Sequence, residues 1–185
     1  MHPNEINARG SKGKVLVVDD EEINIKLIEA YLNEEYEIIT AQSGNEALNK
    51  IIEDKPDIVL LDIMMPQISG YDVCKSIKEN DATRFIPVVM CTALSGSEAK
   101  IKAIEIGADD FLTKPINRQE LFARIKSLLK KKYYQDELVH DKDIIEKQNE
   151  ALRQEHNELE QKVHERTEEL MKAKISGLKD RMKLK

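Results

Sequence analysis

Asp62 closes the apolar run Val59-Leu60-Leu61, and Asp19 and Asp20 close Val15-Leu16-Val17-Val18. Thr92 follows the run from Ile86 to Cys91, and Lys114 follows Asp110-Phe111-Leu112-Thr113. Each polar side chain stands where an apolar stretch stops. If those stretches are parallel strands of one sheet, their carboxyl ends gather three carboxylates, an ammonium and a hydroxyl at one edge. Crowded carboxylates repel, and a divalent cation relieves them. A donor set made only of oxygen selects a hard ion such as Mg2+, which keeps several of its waters. Lys114 and Thr92 supply a cation and a hydrogen-bond donor for the oxygens of a phosphoryl group. Asp62 is then a carboxylate nucleophile forming an acyl phosphate, with the cation and Lys114 offsetting the charge of a loose transition state. Taken singly, each residue also has an ordinary reading: Asp19 and Asp20 as helix N-caps, Asp62 as a turn residue, Lys114-Pro115 as a common dipeptide. Their shared position at strand ends is what argues for chemistry.

The positioning elements follow from pattern. Strands are expected at Lys14 to Val18, Glu37 to Thr40, Pro56-Asp57 to Asp62, Ile86 to Cys91 and Asp110 to Thr113. The third is apolar enough to be buried on both faces. The first helix presents Ile23, Leu27, Ala30 and Tyr31 as its buried stripe. The second opens on the capping box Ser43-Gly44-Asn45-Glu46 and turns Ala47, Leu48, Ile51 and Ile52 inward. Ser69 with Asp72 opens the third, whose inner face is Val73, Cys74 and Ile77. Ser95 with Glu98 opens the fourth, with Ile101 and Ile104 inward and Gly107 as its left-handed stop. Asn117 with Glu120 opens the fifth. Regular alternation of strand and helix predicts an α/β fold built on a five-stranded doubly wound parallel sheet with right-handed crossovers.

The 185 residues allow one full domain and an appendage. The expected organisation is a disordered segment at 1–13, a globular domain at 14–132, a coiled-coil helix at 133–176 and a frayed tail at 177–185. A net charge of -6 argues against nucleic-acid binding, and Lys130-Lys131-Lys132 reads as a solvated helix surface. Cys74 and Cys91 lack metal-ligand spacing and read as buried thiols of a reducing compartment. No apolar stretch reaches the roughly 18 residues that cross a bilayer, so the expected location is the cytoplasm, without a membrane partner.

Between Pro115 and Gly177 there is neither proline nor glycine, which predicts an unbroken final helix of roughly 90 Å. Leu138, Ile145, Leu152 and Leu159 recur every seven residues, and Lys142, Asn149, His156, Val163 and Leu170 form the second register. This is a coiled-coil seam, and a homodimer through residues 138–173 is expected. Asn149 is the kind of polar seam residue that favours a parallel pair in register. The seam is weak, because Lys142, His156 and Arg166 fall on it and a parallel pair would set Asp141 against Glu146 and Glu155 against Glu160.

Asp19-Asp20, Leu61-Asp62-Ile63-Met64-Met65-Pro66, Gly70, Thr92-Ala93, Gly107-Ala108-Asp109-Asp110-Phe111 and Lys114-Pro115 together make residues 14–132 resemble the receiver domain of two-component response regulators. The resemblance implies a flavodoxin-like sheet of strand order 2-1-3-4-5, with the last helix extending into the tail. It implies that Asp62 accepts phosphate from a histidine kinase or phosphotransfer protein, or from a small phosphodonor. By the same resemblance Asp20, Asp62 and the Met64 carbonyl ligate Mg2+ while Asp19 holds a metal-bound water. Lys114 would contact the phosphoryl group across a cis Lys114-Pro115 bond, which the following proline permits. Thr92 and Phe111 would form the switch, although Phe111 also reads as an ordinary core aromatic. Met64 and Leu94, which flank the phosphoryl group in receivers, cannot orient an attacking water, so slow self-dephosphorylation is expected. Val163-His164-Glu165-Arg166-Thr167-Glu168-Glu169-Leu170 resembles the signalling coiled coils that join receivers or sensors to output domains. The expectation is thus a switch that catalyses only its own phosphotransfer and dephosphorylation. Against it stand a truncated receiver and linker of a larger cyclase or phosphodiesterase regulator, a passive dimerisation scaffold, and a phosphatase that turns over on Asp62.

Overall fold

The structure, a computed structural model, describes residues 12–93 and 97–183, the side chains of 97–100 and 175–183 excepted. Most of the segment expected to be disordered, together with Leu94 and the Ser95 cap, lies outside the described residues. The elements are β1 (Lys14–Val18), α1 (Glu22–Leu32), β2 (Glu37–Ala41), α2 (Gly44–Asp54), β3 (Ile58–Asp62), α3 (Gly70–Glu79), β4 (Val88–Thr92), α4 (Ser97–Glu105), β5 (Asp110–Thr113) and α5 (Arg118–Lys183). All strand pairs are parallel, in the order β2-β1-β3-β4-β5.

Alternation along the inner strands feeds two core layers. Leu16, Val18, Val59, Leu61, Val88 and Met90 face α2, α3 and α4 through Ala47, Ile51, Val73, Cys74, Ile77 and Ala103. Val15, Val17, Ile58, Leu60, Val89 and Cys91 face α1 and the first turns of α5 through Ile25, Ile28, Leu32, Leu121, Ile125 and Leu129. Both faces are covered, so the inner strands read as continuous apolar runs rather than as alternating ones.

Several helix faces differ from expectation. α1 buries Ile25, Ile28 and Leu32, whereas Ile23 is 75% and Leu27 41% exposed. This helix carries two apolar stripes, and tertiary packing selects the one that periodicity did not. In α2, Ala47 and Ile51 are buried and Leu48 is half-buried, but Ile52 is exposed. In α4, Ile101 and Ile104 are exposed, and the contact is made by Ala103, whose small side chain lets the helix approach the sheet closely. β4 begins at Val88 rather than Ile86, because Ile86 donates its N–H to Thr83 in a turn and Pro87 has none to donate.

The helix ends show how local chemistry places them. Ser69 and Asp72 form a reciprocal capping box at α3. Ser43 accepts from the Glu46 amide at α2, but the Glu46 carboxylate accepts from the Gln42 amide and pairs with Lys50 instead of returning to Ser43. At the end of α4, Gly107 has φ +88°, its N–H reaches Ile104 and that of Ala108 reaches Ala103, the paired bonds of a Schellman stop.

The chain divides into two compact units between Glu137 and Leu138. In the second, Leu138, Ile145, Leu152, Leu159, Val163 and Leu170 are each more than half exposed along the helix, and their companions Asn149 and His156 are exposed. The backbone of α5 stays helical through Gly177 to Lys183. Among the described residues, no helix is long and apolar enough to cross a membrane.

Candidate functional site

β1 leads through α1 to β2 on one side, while β3 lies on its other side, so the order reverses between β1 and β3. At such a point the crossovers diverge to opposite faces and leave a crevice at the carboxyl ends of the strands. Asp19 and Asp20 enter it from β1 and Asp62 from β3. One carboxylate oxygen from each of the three lies within 4.8 Å of those of the other two.

Asp19 and Asp62 are almost wholly buried, while Asp20 is exposed at the rim. The Asp19 amide donates to Ala41 at the end of β2. Its Oδ1 accepts from the Glu21 amide (3.0 Å) and from Asn24 Nδ2 (2.9 Å). Its Oδ2 lies 2.7 Å from Lys114 Nζ, and the same ammonium lies 2.7 Å from Asp62 Oδ1. Asp62 Oδ2 accepts from the Met64 amide at 3.0 Å. Lys114 is brought in from β5, where its N–H donates to Thr92 at 2.8 Å, and the bond to Pro115 is cis. Thr92, 1% exposed, closes β4 one residue beyond Cys91, the register partner of Asp62.

The loop after Asp62 is fixed by close backbone approach. Ile63 donates to Cys91 of β4 and accepts from Gly70. A Cβ on Gly70 would lie 2.0 Å from the Asp62 carbonyl oxygen, so only glycine lets α3 start there. The same loop leaves the Met64 side chain 65% exposed. Phe111 is half-buried and packs on the core layer of α2, α3 and α4.

Burial pushes the Asp62 carboxyl above the usual carboxylate range, and the Lys114 ammonium pulls it part of the way back. Burial likewise works against the Lys114 charge, but its hydrogen bonds to Asp19 and Asp62 outweigh that and hold its pKa above normal. Burial raises Cys91 to about 12 and Cys74 to about 11, which removes both thiols from chemistry at neutral pH. Three carboxylates thus face one ammonium. The remaining negative charge and the all-oxygen donor set fit a hard divalent cation, with Asp19, Asp20 and Asp62 as the residues that would hold it.

Asn24 is the polar group that pattern did not find. Its only signal in the sequence is its place in the first turn of a helix that follows two acids.

A parallel five-stranded sheet whose carboxyl edge joins paired acids, a lone aspartate and a lysine before a cis proline defines a receiver. The chain belongs to the response regulator receiver domain family, whose model matches residues 15–126. It is 51% identical over 126 residues to the response regulator PleD of Caulobacter vibrioides, covering 68% of this chain and 28% of that protein. It is 40% identical over 119 residues to the alkaline phosphatase synthesis transcriptional regulatory protein PhoP of Bacillus subtilis, covering 64% of this chain and 49% of that protein. Among solved structures it is similar to the Vibrio cholerae chemotaxis protein CheY4, with 30% identity and a TM-score of 0.60 over 64% of this chain and 99% of that one. The chain therefore spans about half or less of the length of these two curated relatives.

Proposed function

We propose that this receiver is a phospho-accepting switch in which Asp62 takes a phosphoryl group from the phosphohistidine of a histidine kinase or phosphotransfer protein. A carboxylate oxygen of Asp62 bonds to phosphorus as the phosphorus–nitrogen bond breaks. The electron pair leaves on the imidazole, which takes up a proton. The observation that carries this reading is the Lys114 ammonium, 2.7 Å from both Asp19 and Asp62, which can move from the carboxylates to an oxygen of the incoming group without leaving the site. Thr92 donates its hydroxyl to a second oxygen, and Phe111 turns inward as it does so. Mg2+ held by Asp19, Asp20, Asp62 and the Met64 carbonyl would supply Lewis-acid neutralisation of the phosphoryl charge. The site is a phosphoacceptor rather than an enzyme acting on external substrates.

The signal leaves through the face of α4, β5 and α5 and through a homodimeric coiled coil at residues 138–173, whose exposed seam needs a partner. A reducing cytoplasm suits the two free thiols. A second reading is a receiver and linker from a longer cyclase or phosphodiesterase regulator; the 28% of PleD that the match spans supports a longer regulator and leaves its output open. In either case the phosphoacceptor is the same. Incubation with radiolabelled acetyl phosphate or a phosphorylated kinase, with Mg2+, is expected to give one acid-stable, base-labile label per chain, lost in Asp62→Asn. Undiminished labelling of Asp62→Asn would rule the assignment out.

A further inference from the structure

Asn24 stands in the first full turn of α1, half-buried, and its carboxamide nitrogen carries two N–H groups. One donates to Asp19 Oδ1 at 2.9 Å and the other to Glu21 Oε2 at 3.0 Å. With the Glu21 amide also on Oδ1 and Lys114 on Oδ2, Asp19 is tethered through both oxygens. The bridge joins the Asp19 and Glu21 carboxylates through one amide nitrogen. It also fixes them without neutralising either, which a lysine at this position could not do. The negative potential of the cluster therefore survives while the rotation of one of its members is removed.

We propose that Asn24 is a positioning residue of the acidic cluster, holding Asp19 in the orientation that a divalent cation requires and keeping the Glu21 carboxylate tied to the helix turn. This rests on the reading of Asp19, Asp20 and Asp62 as a cation-assisted phosphoacceptor site. Groups that orient a ligand from behind change metal affinity by about 10- to 100-fold when removed, without changing the ligand itself.

The test uses the full chain with Asn24→Ala, Asn24→Gln and Asp62→Asn. Mn2+ affinity is read from the electron paramagnetic resonance of free Mn2+. The Mg2+ dependence of acyl-phosphate formation from acetyl phosphate and the melting temperature in EDTA are measured in parallel. Asn24→Ala is expected to bind Mn2+ roughly tenfold more weakly. The Mg2+ concentration for half-maximal phosphorylation should rise by a similar factor towards an unchanged plateau, with melting in EDTA unaltered. Asn24→Gln, which keeps the donor, should recover part of the affinity. Equal Mn2+ affinity in Asn24→Ala and the unsubstituted chain overturns the positioning role and leaves the phosphoacceptor reading intact. So does a loss that Asn24→Gln does not reduce, or one matched by a fall in melting temperature in EDTA. Failure of the unsubstituted chain to bind Mn2+ and to be labelled at Asp62 overturns the parent reading and this inference with it.

Discussion

Burial works against the charge on Asp62. Burial raises its pKa more than Lys114 lowers it, so the unfolded chain ionises this carboxyl more readily than the folded one does. The sign follows: in the cation-free protein the group costs nothing below the ordinary aspartate pKa. It destabilises the fold increasingly as pH rises through the window between the unfolded and the raised folded value. In EDTA, Asp62→Asn is therefore expected to melt a few degrees above the unsubstituted protein at pH 7, with the gap closing near pH 3. Calorimetry across that range checks it, and a gap that widens on acidification would contradict the burial argument. Met64 makes the second residue-scale expectation. Its thioether, on an exposed side chain two residues after Asp62, neither donates nor accepts strongly enough to aim a water at the acyl phosphate. The phosphoprotein should thus be long-lived, and Met64→Asn, which supplies an amide there, should shorten its half-life by about tenfold, read as the decay of label after donor removal.

The loop from β3 to α3 is where element geometry controls the site. Gly70 lies against the Asp62 carbonyl, and Ser69 and Asp72 start α3 immediately beside it. Gly70→Ala must displace that backbone, so it is expected to destabilise by about 2 kcal/mol or more and to reduce phosphorylation as well. Ser69→Ala removes only a cap, at about 1 kcal/mol, and should leave the phosphoryl chemistry in place. Urea unfolding with a labelling assay separates the two, and equal effects of both substitutions on labelling would remove the special role of Gly70. The same contrast explains what was legible in the sequence. Inner strands buried on both faces leave one reading of Val15 to Val18 and Val59 to Leu61, and chemistry placed at their ends is anchored to those strands. The faces of α1 and α4 were not legible, because each has apolar residues on more than one stripe and the choice between them is made by contacts with distant strands. Asn24 escaped for the same reason, since its partners are visible only once the phase of α1 is known. The box at Ser43 was half legible: the hydroxyl acted locally, but the Glu46 carboxylate had competing donors in Gln42 and Lys50.

At the scale of the whole chain, the large apolar side chains described in the second unit lie exposed along its helix. A helix polar on its remaining faces is marginal alone in water, because propagation barely offsets conformational entropy without a packed face. In the proposed homodimer a second copy would supply that face, matching Leu138, Ile145, Leu152, Leu159, Val163 and Leu170 to themselves. Asn149, Lys142, His156 and Arg166 on the same seam would keep such a pairing weak, which suits the proposed contact that phosphorylation shifts. Light scattering at tens of micromolar is then expected to give about twice the 21.2 kDa chain mass, falling to the single mass in Leu152→Glu and Leu159→Glu. Adding beryllofluoride and Mg2+, which mimic phosphate on Asp62, should move the dissociation constant of the unsubstituted chain and leave that of Asp62→Asn where it was. In the proposed switch the Lys114 ammonium exchanges a carboxylate partner for a phosphoryl oxygen, so Lys114→Ala should also dimerise without responding to beryllofluoride. A single-mass species at every concentration would exclude the homodimer. A dimer indifferent to beryllofluoride would exclude its affinity as the output and leave the face of α4, β5 and α5 to carry the signal alone.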